Sequence, residues 1–221
     1  MALQPPASAG RGMSEFLRPK REFFLYAFHL LDFNRIPGDY CEFGCHEAVT
    51  FAMAHAGLTR TGDPLDRRMW AFDSFEGLPP PSSEADSHPA WVAGELSTSL
   101  EEFRRLCDSA GIPREKYTSV PGFYADTLPR ATAPEQVAFA HVDCDMYSSA
   151  SEVMAWLAPR MQNGMIIAFD DYFCASADQL SGERRALMEF EREHPRWRFV
   201  PYSQYWWAAQ SFLIEDRELD P

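Results

Sequence analysis

Acidic side chains come directly after two apolar segments of the sequence. Asp143 follows residues 137–142, and Asp170 with Asp171 follows residues 165–169. Apolar runs of this length predict buried strands, and a single helical crossover between them would make the two strands neighbours or near neighbours. Three carboxylates brought together repel one another unless they are protonated or neutralised. We therefore predict that these three residues hold a hard divalent cation such as magnesium.

Helix capping is the alternative role for these aspartates, because aspartate is favoured at the N-terminus of a helix. The alternative fits Asp145 best, since a predicted helix follows that residue. For Asp143, Asp170 and Asp171 we favour the metal.

A glycine ends another predicted strand, where a ligand can approach the backbone and the N-terminus of the next helix closely. This glycine is Gly44, and Asp73 ends the following strand. An acid at the place of Asp73 commonly accepts the two hydroxyls of an adenosine ribose. The pair indicates a nucleoside-containing cofactor, although the sequence has no G-x-G-x-x-G motif. The alternative for Asp73 is a solvated aspartate in a turn.

Apolar strands alternate with helices along most of the chain, which predicts an α/β fold with a parallel sheet covered on both faces. The ligand site of such a sheet lies beyond the carboxyl ends of its strands. The predicted strands are 39–44, 69–73, 117–122, 137–143 and 165–170, with a final antiparallel edge pair at 197–202 and 207–214. Helices are predicted over 22–31, over 47–57, from Ser99 to near Gly111, from the end of the fourth strand to about Arg160, and over 182–193.

Composition narrows the class of protein. Residues 1–20 are small and polar and predict a flexible segment, whereas residues 21–221 predict one domain. The 20 Lys and Arg against 33 Asp and Glu give a net charge of −13, which argues against nucleic-acid and anionic-membrane binding. We find neither a run of the ~20 apolar residues that a membrane span needs nor a signal-peptide pattern, so we expect a cytoplasmic protein. Five scattered cysteines predict reduced thiols rather than a disulfide framework or a zinc site.

Five motifs, in this order, resemble the macrocin and mycinamicin O-methyltransferase family, which methylates sugar hydroxyls of macrolide antibiotics. The resemblance spans about Asp39 to Tyr172, and the second motif is highly specific. The motifs are Glu42-Phe-Gly44, Phe72-Asp-Ser-Phe-Glu-Gly-Leu-Pro79, Gly122-Phe-Tyr-Ala-Asp-Thr-Leu-Pro129, His141-Val-Asp-Cys-Asp-Met-Tyr-Ser-Ser149 and Phe169-Asp-Asp-Tyr172.

The resemblance implies a single Rossmann-like class I methyltransferase domain, S-adenosylmethionine as methyl donor and a magnesium ion. By position, the family's metal aspartates fall on Asp143, Asp170 and Asp171. Its cofactor segments fall on Glu42, Gly44 and His46, on Asp73 and Ser74, on Ser99 at a helix start, and on Gly122.

Two departures from the family pattern concern the cofactor loop and the acceptor pocket. Where the family usually carries a further glycine after Gly44, this chain has Ala48-Val49. The segment Leu78–Leu96, which helps to form the acceptor pocket in relatives, is generic apart from one histidine, so the acceptor stays open.

That histidine is His88, which aligns with the family's catalytic base when Thr98-Ser99 is placed on the family's helix start. An imidazole near its ordinary pKa is a suitable proton acceptor at neutral pH. A solvent-facing loop residue is the equally weighted alternative. His46, in the cofactor loop, and His141, within a buried strand, are weaker candidates.

We accordingly predict an S-adenosylmethionine- and magnesium-dependent O-methyltransferase that acts on a sugar or another hydroxylated group of a small secondary metabolite, with His88 and Asp143 as catalytic residues. The alternatives are a catechol-type O-methyltransferase and a catalytically silent cofactor-binding protein.

Aromatic residues near the C-terminal strands could stack on a sugar, but we favour a role at the sheet edge or in a homo-oligomer contact. They are Trp197, Tyr202, Tyr205, Trp206 and Trp207.

Overall fold

A single seven-stranded sheet forms the centre of the molecule in a computed structural model, which describes residues 15–175, 177, 180 and 182–219. The strands lie in the order β3-β2-β1-β4-β5-β7-β6. Their bounds are β1 (Asp39–Phe43), β2 (Met69–Asp73), β3 (Tyr117–Pro121), β4 (Val137–Val142), β5 (Ile166–Phe169), β6 (Trp197–Ser203) and β7 (Gln210–Asp216).

Helices cover both faces of this sheet. Phe24, Phe28 and Phe51 belong to one buried cluster with the side chains on one sheet face, and Met154 and Phe190 belong to a second cluster on the other face. The described helices are α1 (Arg18–Phe33), α2 (Val49–Thr61), α3 (Leu100–Ser109), α4 (Tyr124–Thr127), α5 (Tyr147–Leu157) and α6 (Gly182–Glu193). Two layers of helices explain why β4 and β5 are apolar along their whole length.

The predicted mostly parallel sheet with antiparallel C-terminal strands is confirmed. The pairs β3–β2, β2–β1, β1–β4 and β4–β5 are parallel, whereas β7 is antiparallel to both β5 and β6. Only β7 therefore runs against the direction of the other strands.

The predicted end of the second helix at Gly57 is wrong. Helix α2 continues to Thr61 and ends at Gly62, whose φ is +81°. A Cβ atom on Gly57 would lie 2.9 Å from the ring of Phe28 and 3.3 Å from the carbonyl oxygen of Phe24, both on α1. The glycine thus allows close packing of two helices instead of ending one.

Helix α1 begins earlier than predicted. It starts at Arg18, so Lys20, in the predicted flexible segment 1–20, stands in its first turn and is buried. Residues 1–14 of that segment lie outside the described residues. None of the described helices is long and apolar enough to cross a membrane.

Candidate active site

A cavity of about 810 Å³ lies at the carboxyl ends of the central strands. Most of the predicted site residues line it together, namely Gly44, His46, Asp73, Ser74, Asp143, Asp170 and Asp171. The other predicted site residues are not among its lining residues: Glu42, His88, Ser99 and Gly122. The strand ends alone thus bring the acids and the glycine loop to one place.

Gly44 is required by the protein's own backbone. Its φ is +89°, and a Cβ atom there would lie 1.7 Å from the carbonyl oxygen of Asp143. The two chain segments are held this close because the backbone N of Asp143 donates a 2.8 Å hydrogen bond to the carbonyl oxygen of Phe43. A close approach therefore does require glycine at this position. The approaching group, however, is the end of the neighbouring strand β4 and not a ligand.

The loop after Gly44 contains two residues in the left-handed region, Glu47 with φ +54° and Ala48 with φ +55°. This conformation suits glycine and costs other residues free energy, so Ala48 is strained. The hydroxyl of Thr98 fixes the loop from outside: its Oγ1 lies 2.9 Å from Nδ1 of His46 and accepts a 3.1 Å hydrogen bond from the backbone N of Glu47.

Ser99 acts as the N-cap of α3, because its Oγ accepts a 3.2 Å hydrogen bond from the backbone N of Glu102. Gly122, with φ +125°, donates its N–H to the carbonyl oxygen of Asp73 at 2.9 Å. Both residues therefore support the elements around the cavity from positions outside its lining.

Asp73 holds the loop after Gly44 to its own strand end. Its Oδ2 accepts a 2.6 Å hydrogen bond from the backbone N of Cys45, and its Oδ1 accepts a 2.7 Å bond from that of Phe75. Burial raises the pKa of this carboxyl. Each carboxylate oxygen keeps a second lone pair, so a ligand hydroxyl can still bind on the cavity side.

Glu42 lies beneath the cavity and is fully buried. The hydroxyl of Tyr40 contacts its Oε2, and Oγ1 of Thr50 donates to its Oε1 at 2.9 Å. Burial raises the pKa of Glu42 to about 8, which favours the protonated carboxyl at neutral pH. Glu42 reaches the cavity wall only through Thr50, which does line it.

Asp143 and Asp170 stand side by side because β4 and β5 are in register, with Val142 opposite Phe169. One ligand atom from each of His141, Asp143 and Asp170 lies within 4.8 Å of the other two. Burial, and then the charge of Asp170, raise the pKa of Asp143 well above its ordinary value. Asp143 is therefore the acid of this pair whose negative charge is poorly compensated.

Asp170, in contrast, has a compensating charge. Its Oδ2 accepts a 2.7 Å hydrogen bond from Nζ of Lys20, and its Oδ1 accepts one of 3.3 Å from the hydroxyl of Tyr205. Burial acts to raise the pKa of Asp170, but the hydrogen bond with His141 and the charge of Lys20 lower it to about 2. A buried ammonium thus neutralises this carboxylate.

Asp171, the third predicted ligand, faces a different neighbour. Its carboxyl hydrogen-bonds that of Asp145, and burial followed by the charge of Asp171 raises the pKa of Asp145. A hydrogen bond between two carboxyl groups requires a proton between them. Below them, Glu183 accepts backbone hydrogen bonds from Cys144 at 3.2 Å and from Asp171 at 2.9 Å, which ties the ends of β4 and β5 together.

Helix capping by Asp145, the alternative in the sequence, does not occur. The N-cap of α5 is Met146, which makes no side-chain cap. Asp86 takes this role from a distant loop, since its Oδ1 accepts a 2.8 Å hydrogen bond from the backbone N of Ser148. Its Oδ2 accepts a further 2.8 Å bond from the backbone N of Ser82.

His88 lies in the same loop as Asp86. Its ring packs against that of Trp91 with centroids 4.3 Å apart, and its Nδ1 accepts a 3.2 Å hydrogen bond from the backbone N of Ala90. Burial lowers the pKa of His88. The neutral ring is therefore favoured, with its proton on Nε2 as long as the Ala90 hydrogen bond is made.

Several residues at this site did not stand out in the sequence. Lys20, Glu183 and Tyr205 were not singled out for the acid cluster, and His141 was a weak candidate. The sequence does carry a signal for Lys20. It precedes Phe23, the next buried residue of α1, by three positions and therefore lies on the same face of the helix. No local signal exists for Glu183, which meets the strand ends only through the tertiary fold.

Comparison with known proteins identifies the family. The model of the TylF family, described as macrocin O-methyltransferase, matches residues 25–195. The chain belongs to this family of methyltransferases, and the resemblance seen in the motifs is confirmed.

Two characterised relatives show how far the similarity extends. The mycinamicin III 3''-O-methyltransferase of Micromonospora griseorubida is 29% identical over 178 residues, which are 74% of this chain and 69% of that protein. The 8-demethyl-8-(2,3-dimethoxy-alpha-L-rhamnosyl)-tetracenomycin-C 4'-O-methyltransferase of Streptomyces olivaceus is 33% identical over 144 residues, 62% of this chain and 54% of that protein. The matched region thus covers little more than half of the second relative's length.

Solved structures agree on the fold. The O-methyltransferase NovP is similar with a TM-score of 0.70 and 24% identity, over 88% of this chain and 79% of NovP. The O-methyltransferase TomG from Streptomyces achromogenes, solved in complex with SAM, gives a TM-score of 0.55 at 11% identity, over 97% of this chain and 92% of TomG. The predicted class I methyltransferase fold is confirmed.

Proposed function

We propose that this chain is an S-adenosylmethionine- and magnesium-dependent O-methyltransferase acting on a hydroxyl of a small secondary metabolite, with a sugar hydroxyl as the preferred acceptor. The observation that carries the proposal is the common cavity. Asp143 and Asp170 line it beside the loop that begins at Gly44, so a cation site and a cofactor site would share one space. Methyl transfer needs this proximity, because the acceptor oxygen and the donor methyl group must meet.

The cofactor would lie along the loop after Gly44, with Asp73 and Ser74 at its ribose. S-Adenosylmethionine supplies the methyl group when bound there. His46 and Glu47 also line this part of the cavity, and their anchor on Thr98 keeps the loop in one conformation. The loop can thus position a ligand without first becoming ordered.

The donor set fits a divalent cation. Two carboxylates and one imidazole present ligand atoms within 4.8 Å of one another, and Asp143 has no hydrogen-bonded cation of its own among the described contacts. When bound, magnesium supplies positive charge that favours the deprotonated form of an acceptor hydroxyl. Asp143 and Asp170 would hold it. Asp171 would join them by giving up the proton that it shares with Asp145, because metal ligation requires deprotonated carboxylates.

Two groups of this chain can take the hydroxyl proton. Asp143 lines the cavity, so its carboxylate would lie next to an acceptor hydroxyl bound there. His88 remains the proposed base in the loop above, where it is neutral because burial lowers its pKa. To accept a proton at Nδ1, His88 must first release the backbone N–H of Ala90.

The cavity walls support a partly apolar acceptor. Leu17, Leu96, Phe123 and Trp206 line it, together with Pro79. Such walls suit a sugar with few hydroxyls attached to an apolar scaffold, since aromatic and aliphatic surfaces pack on its C–H faces. The two relatives named above act, by their names, on mycinamicin III and on a rhamnosyl tetracenomycin.

The proposal is tested by transfer of a labelled methyl group. Purified protein is incubated with labelled S-adenosylmethionine and with a rhamnosyl polyketide conjugate, a macrolide glycoside or a catechol, each with added magnesium or with EDTA. We expect methylated sugar product that disappears with EDTA, and none of it from the matched variant Asp143→Asn. Turnover of the catechol alone would move the protein to the catechol-type class. Cofactor binding with no turnover of any acceptor would favour a silent cofactor-binding protein.

We also propose that the protein self-associates through the aromatic end of its sheet, as the sequence led us to expect. Trp207, in the connection between β6 and β7, is 60% exposed. Light scattering of the wild type and of Trp207→Ser tests this, since a monomeric wild type would exclude it.

A further inference from the structure

The two carboxylate oxygens of Asp170 have different partners. Oδ1 lies 3.3 Å from the hydroxyl of Tyr205 and 3.6 Å from Nε2 of His141. Oδ2 lies 2.7 Å from Nζ of Lys20, and these two side chains are only 6% and 10% exposed. Both carboxylate oxygens of Asp170 are therefore already occupied. A cation beside Asp143 would have to share one of them.

Lys20 reaches this position from α1, outside the sheet. It lines the cavity with the acids, and it is the one lysine or arginine among the described residues that do so. Its Nζ also lies 3.6 Å from the ring centroid of Trp206, a cation–π contact. The ammonium therefore has two partners at once, a carboxylate and an aromatic ring.

We propose that Lys20 is a tethered cation that competes with the divalent metal for Asp170, and that its ammonium leaves Oδ2 when the metal binds while it keeps its contact with the face of Trp206. This inference rests on the proposed metal dependence. An ammonium at hydrogen-bond distance from the same carboxylate repels an incoming divalent cation, and the repulsion is strong where burial lowers the effective dielectric constant. Trp206 provides the place where the released charge stays partly compensated.

In the absence of metal, Lys20 supplies positive charge to the acid cluster. Its ammonium compensates the charge of Asp170 at 2.7 Å, so the chain itself supplies one cation to the acid cluster. Metal binding then breaks a contact between α1 and the sheet, which couples the position of α1 to occupancy of the site.

Metal titration of Lys20 variants tests the competition. Binding of Mg²⁺ is measured by calorimetry, and Mn²⁺ by its electron spin resonance, for the wild type, Lys20→Gln and Lys20→Arg. We expect Lys20→Gln to bind metal roughly ten- to hundredfold more tightly, because it keeps a hydrogen-bond donor and removes the charge. Lys20→Arg keeps the charge and should stay near the wild type. The matched control is Lys116→Gln, which breaks an ion pair with Asp63 far from the cluster in sequence.

A second measurement uses the wild type alone, so it does not depend on how a variant folds. The sequence contains only two lysines, Lys20 and Lys116. Acetylation by acetic anhydride, followed by mass spectrometry of peptides, should become several-fold faster at Lys20 when Mg²⁺ is added, with Lys116 as the internal reference.

The outcomes separate this inference from the proposed function. Metal binding in the wild type, with equal or weaker binding in Lys20→Gln and no change in Lys20 acetylation, overturns the competition and leaves the metal dependence intact. Metal binding by Lys20→Gln alone supports the competition and removes magnesium from the wild-type reaction. Binding by neither protein overturns both.

Discussion

Oδ2 of Asp73 lies 2.6 Å from the backbone N of Cys45, so a carboxylate at the end of β2 holds the loop that leaves β1. The same carboxylate accepts the backbone N–H of Phe75, which shapes the turn after its own strand. Asp73 thus has the turn role that was the alternative in the sequence, and it presents remaining lone pairs to the cavity. One carboxylate can therefore accept the backbone hydrogen bonds of the turn and also accept hydrogen bonds from ribose hydroxyls.

Replacing Asp73 by alanine should therefore affect both binding and folding. We expect adenosylhomocysteine to bind more weakly by about 1.5–3 kcal/mol, since hydrogen bonds to a charged partner are lost. The free energy of unfolding should fall by about 1–3 kcal/mol, because two backbone N–H groups lose their acceptor. Calorimetric titration and urea unfolding measure the two effects. Asp126→Ala is the control, as Asp126 is exposed. Lower stability with unchanged affinity would leave Asp73 with the turn role alone.

Asp143→Asn should abolish metal binding and stabilise the metal-free protein. The folded-state pKa of Asp143 is raised above its unfolded value by burial and by Asp170. The raised pKa therefore costs stability at neutral pH. This cost shrinks as the pH falls below the folded-state pKa and is gone below the unfolded-state pKa. The variant should melt at the same or a higher temperature than the metal-free wild type at pH 7, while turnover falls roughly a hundredfold or more. A lower melting temperature at pH 7 would contradict this account.

Asp86→Asn should loosen the loop that carries His88. Although burial acts in the opposite direction, hydrogen bonds from Ser148 and Ser82 lower the pKa of Asp86. A lowered pKa stabilises the fold above the unfolded-state pKa, and this contribution is lost as the pH falls through the folded-state value. We expect a loss of about 1–3 kcal/mol at pH 7 that shrinks in acid, measured by urea unfolding at several pH values. The exposed Asp126→Asn should change little.

His88→Ala distinguishes the two proposed proton acceptors. If His88 is the base, the rate should fall roughly 10²–10⁴-fold with cofactor and metal affinities retained. Because its pKa is lowered, the wild type should keep its rate somewhat below the ordinary histidine pKa of about 6.5, and the variant should lack this limb of the pH profile. His46→Ala is the parallel control. A loss of less than about tenfold would assign the proton to Asp143 and leave His88 with a structural role in the loop that also carries Asp86.

Ala48→Gly should stabilise the protein by about 1 kcal/mol, because it relieves a left-handed conformation that disfavours a Cβ atom. The matched control is Ala54→Gly, within α2, which should lose about 1 kcal/mol or more. Urea unfolding measures both. A loss of stability in Ala48→Gly would show that the loop anchored on Thr98 tolerates φ +55° without strain.

The sheet and its acidic edge could be predicted from the sequence because each depends on local pattern. Apolar runs gave β2 with its observed bounds, and the residues that follow β4 and β5 meet at one edge in any parallel arrangement. The end of α2 could not be predicted, since Gly57 marks a contact with Phe28 that is distant in sequence.

The partners of the acids could not be predicted for the same reason. Lys20 is 150 residues from Asp170, and Asp86 is 62 residues from Ser148. Charge repulsion alone indicated that some cation must balance the aspartates. It could not distinguish a bound metal from an ammonium that belongs to the chain.

Insertion of β7 between β5 and β6 has a consequence during synthesis on the ribosome. Strands β1 to β5 can assemble in the nascent chain as soon as residue 169 has emerged, but β5 then has an open edge, because its outer neighbour comes last in the chain. β6 emerges earlier than β7 and pairs with the sheet only through it. Until residues 210–216 arrive, the apolar edge of β5 can pair with another chain instead, so slow translation of this last stretch should favour aggregation of the nascent protein.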